Sequence, residues 1–172
     1  MTLAMITLNN LTYSYRKGAE AISNASASIG AGIYLMLGEN GAGKTTLLHL
    51  IAGLLYPTEG ECLVNGNSMT RRRPSELSSV FFLGDSMPFP AKTINEMARI
   101  HGVFYPRFNP KMLKENLASF GFTGKERLDR MSLGNRHKSQ IAYALALNVD
   151  TLLLDEPANG LDINSKQSLQ SL

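Results

Sequence analysis

The sequence predicts an α/β fold in which a helical block, residues 93–148, is inserted between strand segments. Two stretches carry that expectation. Ile33-Tyr34-Leu35-Met36-Leu37 is short, apolar and uninterrupted, as in a buried strand. It runs through a glycine-rich turn into Thr46-Leu47-Leu48-His49-Leu50-Ile51-Ala52, a helical stretch stopped by Gly53. Near the other end, Thr151-Leu152-Leu153-Leu154-Asp155-Glu156-Pro157 is a second apolar run, closed by two acids and a proline.

The elements follow in order. Residues 5–15 carry β-branched, aromatic and alternating apolar side chains and read as strand. Arg16-Lys17-Gly18 turns the chain, and a second strand reaches Ile29 before Gly30-Ala31-Gly32 breaks it. Pro57-Thr58-Glu59-Gly60 is a turn. Glu61-Cys62-Leu63-Val64 is a short strand ended by Asn65-Gly66, a hairpin signal. Ser79-Val80-Phe81-Phe82-Leu83 is another buried strand. Thr93 and Glu96 then form a capping box, the threonine accepting from the third helical N–H and the glutamate reaching back. A second helix starts at Asn109 with Pro110 in its first turn. It buries Met112, Leu113, Leu117 and Phe120 and stops at Gly121. Ser132 caps a third helix carrying Ile141, Ala142, Leu145 and Ala146.

At 172 residues the chain is most simply one domain. An apolar fraction of 44% with 18% charged residues gives it a real core. The net charge of +3 is concentrated in Arg71-Arg72-Arg73, which reads as a solvated loop, since a nucleic-acid footprint needs a longer basic face with aromatics interleaved. Cys62, the only cysteine, excludes an internal disulfide framework, suits a reducing compartment and reads as a small buried strand residue. No stretch approaches 18 apolar residues, and the N-terminus lacks the layout of a secretory signal, so the expected location is cytoplasmic. There is no internal repeat and no low-complexity linker.

The turn after residue 37 is Gly38-Glu39-Asn40-Gly41-Ala42-Gly43-Lys44-Thr45, which matches the phosphate-binding pattern G-x-x-x-x-G-K-[ST] in the strand-before, helix-after setting the pattern requires. Gly38, Gly41 and Gly43 let successive N–H groups point into one concavity, and the following helix adds its positive end. Lys44 then reaches the outer phosphates, and the Thr45 hydroxyl holds a magnesium ion. Asp155 and Glu156 end a core strand, where ligands bind in open α/β sheets, and a phosphate loop needs such an acidic partner for magnesium.

Taken together these residues resemble an ATP-binding cassette ATPase, the motor subunit of ABC transporters, over Tyr15 to Leu172. Residues 38–45 match the family's Walker A loop, and residues 152–156 match Walker B. Met131-Ser132-Leu133-Gly134-Asn135 sits where the signature lies, with Ser132 23 residues before Asp155. Asn159-Gly160-Leu161-Asp162 matches the D-loop, and Tyr15 falls at the aromatic position that stacks on adenine. The resemblance implies an ABC-type P-loop core sheet with an N-terminal antiparallel β-subdomain and an inserted helical subdomain. Its parts are 1–92 as nucleotide-binding core, 93–148 as helical subdomain with the signature, and 149–172 with Walker B and the D-loop. The implied ligands are ATP and Mg2+. Nucleotide is held by Tyr15, Gly38, Glu39, Asn40, Gly41, Ala42, Gly43, Lys44, Thr45, Thr46, Ser132, Gly134 and Asp162. Thr45 and Asp155 face the metal, and Glu156 and Lys44 are the catalytic residues. The implied partners are a second ATP-binding subunit, whose signature closes on the γ-phosphate, and transmembrane permease subunits; the place is the inner face of the cell membrane.

Three departures from the family accompany the match. Gly84, with Asp85 next, stands where the family has a glutamine; Asp85 either supplies a magnesium-facing oxygen or belongs to an ordinary turn. The signature, followed by Arg136-His137-Lys138, looks closer to subgroups found among exporters, with His137 read as a solvated helix residue. Family domains also continue past the D-loop to a switch histidine, so the sequence is expected to be C-terminally truncated, leaving the apolar side of Ile163, Leu169 and Leu172 uncovered. The expected function is ATP hydrolysis powering transport, in the export direction. The alternative is an ATP-binding module with little or no hydrolysis.

Overall fold

The computed structural model describes residues 6–16, 18–84, 87 and 89–157, which fall into two compact units, one ending at Phe82 and the other beginning at Leu83. In the first unit β1 (Ile6–Arg16) and β2 (Ala19–Ile29) form a long antiparallel hairpin. β1 also pairs antiparallel with β3 (Glu59–Val64), which turns into β4 (Asn67–Ser68), giving the order β2-β1-β3-β4. The two-residue turn between β3 and β4 is Asn65-Gly66, with φ of 51° and 76°, the doubly left-handed geometry that matches the twist of a hairpin.

A bulge in β1 explains its core face. Leu8 and Leu11 are both buried although three residues apart, an odd spacing that a regular strand would place on opposite faces. The register shifts between them, Asn10 takes a φ of 46°, and Asn10 is tied to β2 by two 3.0 Å bonds with the Ser26 hydroxyl. Gly60 faces this bulge at φ 74°. A Cβ there would lie 2.3 Å from the carbonyl oxygens of both Asn9 and Asn10. Cys62 is buried opposite Leu8, and burial, with the Glu61 charge adding, pushes its thiol up to about 12.

α1 (Lys44–Ile51) begins two residues earlier than expected, so Lys44 and Thr45 belong to the helix. Thr46, Leu50 and Ile51 are its buried residues, and Gly53 in the left-handed region ends it. The expected buried strand at 33–37 is not found. No described strand is bonded to these residues, and Ile33, Leu35 and Leu37 are exposed. An apolar run becomes a buried strand only where neighbours pair its backbone, and the four-stranded sheet does not reach it. The arginine run is also more structured than a solvated loop. Arg72, at φ 48°, donates to the Leu54 carbonyl at 2.9 Å and lies over the Tyr56 ring, 4.1 Å from its centroid. α2 (Pro74–Leu77) and β5 (Val80–Leu83) follow, and His49 of α1 packs edge-on against Phe82.

The second unit is helical. In α3 (Ile94–His101), Thr93 accepts from the Glu96 N–H as expected. Glu96, however, takes the N–H of Lys92 at 2.8 Å, one residue before the cap. α4 (Pro110–Ser119) is capped by Asn109, which accepts from Lys111 and Met112; Leu113 and Leu117 are buried, and Met112 and Phe120 half-buried. α5 (Leu133–Ala146) runs through the core of this unit, with Ile141, Ala142, Tyr143 and Ala144 fully buried. α4 is fastened to it by Asn109 N–H to Ala146 O and by Asn116 Nδ2 to Ala142 O. His137 is not solvated but 2% exposed, because it shares the inward side of α5 with Ile141 and Ala144, four and seven residues on. The unit closes with β6 (Thr151–Leu154). Among the described residues no helix is long and apolar enough to cross a membrane.

Two measurements check this fold. Gly60→Ala is expected to lower unfolding free energy in urea by about 2 kcal/mol or more, because the new methyl meets backbone at a left-handed φ. Gly66→Ala, left-handed but in open space, should cost about 1 kcal/mol. His101 supplies a pH dependence. Its Nδ1 lies 2.7 Å from the Tyr143 hydroxyl, and burial lowers its pKa from 6.5. Below 6.5 the unfolded chain takes up the proton more readily than the folded one. Stability is therefore full above 6.5 and falls as pH drops toward the lowered value. His101→Gln should remove that part of the slope below about pH 6.5 in urea titrations.

Candidate functional site

The first unit gathers one set of predicted residues. Asn40 and Gly41 turn the chain, with the Ala42 N–H donating to the Glu39 carbonyl at 3.2 Å and Gly41 at φ 86°. Gly43 follows at φ 87°. A Cβ on it would lie 2.4 Å from the Ala21 carbonyl oxygen and 2.9 Å from Ile22 Cδ1, so only glycine fits against β2. Gly38 meets no such demand, since a Cβ there would make only ordinary contact with Ala42.

Gly43 is also the N-cap of α1 and brings no side-chain acceptor to the first turn. That helix start offers backbone N–H groups and a positive dipole end to an anion. Lys44 Nζ folds across the loop and donates to the carbonyls of Gly38 and Glu39, both at 2.8 Å. The ammonium is thereby held against the backbone of the loop. Thr45 is exposed, while Thr46 is buried with its hydroxyl 3.0 Å from that of Tyr15, near the end of β1. Tyr15 packs edge-on against Tyr13 and leaves 59% of its surface exposed. The loop thus sets an ammonium group beside a helix start with no side-chain cap, and the first turn of that helix is bonded to an exposed aromatic ring.

The second unit holds the rest. Ser132 caps α5 by accepting from the Asn135 N–H at 3.3 Å, with Gly134 in the first turn and Met131 touched by the Ser139 hydroxyl. Asp155 follows β6, and its N–H donates to the Leu83 carbonyl at 2.9 Å. Glu156 is exposed, at φ 51°, a left-handed conformation that a glutamate adopts at a cost. Gly84 is buried next to Leu83. Asp85, Asp162 and the rest of 159–162, and Ile163, Leu169 and Leu172 lie outside the described residues.

Comparison with known proteins fits this geometry. The family model described as ABC transporter matches residues 22–159, from within β2 to Asn159. The chain belongs to the ABC transporter family. It is 34% identical to the ABC transporter ATP-binding protein YcbN of Bacillus subtilis, covering 92% of this chain and 52% of YcbN. It is equally identical to the taurine import ATP-binding protein TauB of Burkholderia pseudomallei, covering 95% of this chain and 64% of TauB. The chain thus spans about half to two thirds of these relatives. A bacterial Atm1-family ABC exporter with ATP bound shares the fold, with a TM-score of 0.79 at 20% identity over 98% of this chain and 32% of that one.

Sequence reasoning missed two contacts in this member of the family: the Tyr15–Thr46 bond and the seating of Gly43 on Ala21. Neither had a local signal, since both join residues more than 20 apart in the chain. Lys44→Ala should weaken binding of a fluorescent ATP analogue by about tenfold or more, the size of a lost charge-assisted bond. Titration of both proteins is the measurement, and equal affinities would remove the loop from the nucleotide site.

Proposed function

We propose that the chain binds ATP and hydrolyses it to drive transport through separate membrane subunits. The observation that carries this reading is the α1 start, where a side-chain-free cap, Lys44 and the Tyr15 ring are gathered by one sheet and one helix. In this reading residues 38–46 hold the phosphates, Lys44 exchanges its loop carbonyls for phosphate oxygens, and Tyr15 stacks on the base. Glu156, exposed just past β6, accepts the proton of the attacking water. Its left-handed backbone lifts it out of the strand's line, which favours such a role.

Magnesium suits the oxygens on offer. The family resemblance assigns it to Thr45 and Asp155, and each by itself offers a hard oxygen of the kind this ion prefers: an exposed hydroxyl in the first unit and a half-buried carboxylate in the second. Bound there with ATP, the ion would neutralise phosphate charge. A second ATP-binding subunit would close its Ser132 and Gly134 helix start on the γ-phosphate, as anions favour helix N-termini, with Asp162 alongside. That closure and reopening would move transmembrane permease subunits, placing the chain in the cytoplasm on the inner face of the membrane. Leu133 and the basic residues after the signature support the export direction. A second reading, ATP binding with little hydrolysis, is favoured by Gly84, which offers no side chain where the family has a glutamine.

Glu156→Gln is expected to keep ATP binding and slow phosphate release by about a hundredfold or more, the usual worth of a positioned base. Asp155→Asn should instead raise the magnesium concentration needed for half-maximal release. A parent that binds ATP and releases no phosphate supports the second reading, and a Glu156→Gln variant as fast as the parent rules out this base.

A further inference from the structure

The Tyr15 hydroxyl has a partner that strand pairing does not call for. It lies 3.0 Å from Thr46 Oγ1, across 31 residues of sequence, and Thr46 is 6% exposed at the first turn of α1. The Tyr15 ring is held a second time by Tyr13, at 5.0 Å between centroids and 89° between planes. A ring fixed by its tip and by an edge contact still shows more than half its surface to solvent. An exposed tyrosine in water ordinarily samples several rotamers, and ordering it when a ligand arrives costs affinity. Here the ordering is already done, and it is done from the phosphate-loop helix itself.

We infer that Thr46 is a positioning residue: its hydroxyl, bonded to that of Tyr15, presets the Tyr15 ring as a platform for a nucleotide base. The inference rests on the nucleotide-site reading above and deepens it. The ring face supplies stacking, which any base can use; the hydroxyl fixes where that face stands relative to the residues that hold phosphate. Phenylalanine has the same face and no hydroxyl, so the two contributions separate. A ligand with phosphates and no base makes no use of the platform.

The experiment measures equilibrium binding of ATP and of inorganic tripolyphosphate to the 172-residue chain and its variants. Tyr15→Phe is expected to weaken ATP by about three- to tenfold, the worth of one hydrogen bond, and to leave tripolyphosphate unchanged. Thr46→Ser, which keeps the hydroxyl, should retain the parent's ratio of the two affinities. In a Thr46→Val background, Tyr15→Phe should add nothing to the loss of ATP affinity. The inference is overturned if Tyr15→Phe binds ATP as tightly as the parent. It is equally overturned if ATP and tripolyphosphate weaken together, the mark of a merely structural role, or if the loss persists in the Thr46→Val background. A parent that binds neither ligand overturns the nucleotide reading itself, a result distinct from these.

Discussion

The site depends on how closely one glycine approaches one strand. With no Cβ, Gly43 sits against the Ala21 carbonyl of β2, where a methyl would come within 2.4 Å. Its φ of 87° turns the chain so that α1 begins at the next residue. That start fixes everything around it. Lys44 folds back over Gly38 and Glu39, and Thr46 points inward to the Tyr15 hydroxyl. Since β2 and β1 are one hairpin, the strand that receives Gly43 is paired to the strand that supplies Tyr15.

The helix starts of the chain differ in a way that bears on chemistry. Thr93, Asn109 and Ser132 each bring a side-chain oxygen to the first-turn N–H groups of α3, α4 and α5. Gly43 brings none to α1. Three helices meet those donors with a cap side chain of their own, while the cap of α1 has none and is followed by the Lys44 ammonium. A helix start without its own acceptor is where an anion gains most.

What was legible in the sequence was local. Asn65-Gly66 specifies its own turn, Thr93, Asn109 and Ser132 cap the turns they begin, and the glycine-rich loop announces a helix because its spacing encodes the geometry. What was not legible depended on partners elsewhere. Residues 33–37 look like a buried strand by composition, but composition does not supply the neighbouring ladder. His137 is polar and beside a basic stretch, and it is buried only because the α5 face it shares is the core of its unit. The three-residue offset of Leu8 and Leu11 needed the Asn10 bulge to make sense.

The central claim is that the backbone N–H groups opened up by Gly43 receive the nucleotide's phosphates. Amide hydrogen exchange with and without magnesium and ATP tests it at the atoms concerned. The account predicts that exchange slows at residues 41–46 when ATP is added, as phosphate oxygens take up those N–H groups. ATP bound with exchange at 41–46 unchanged would contradict it.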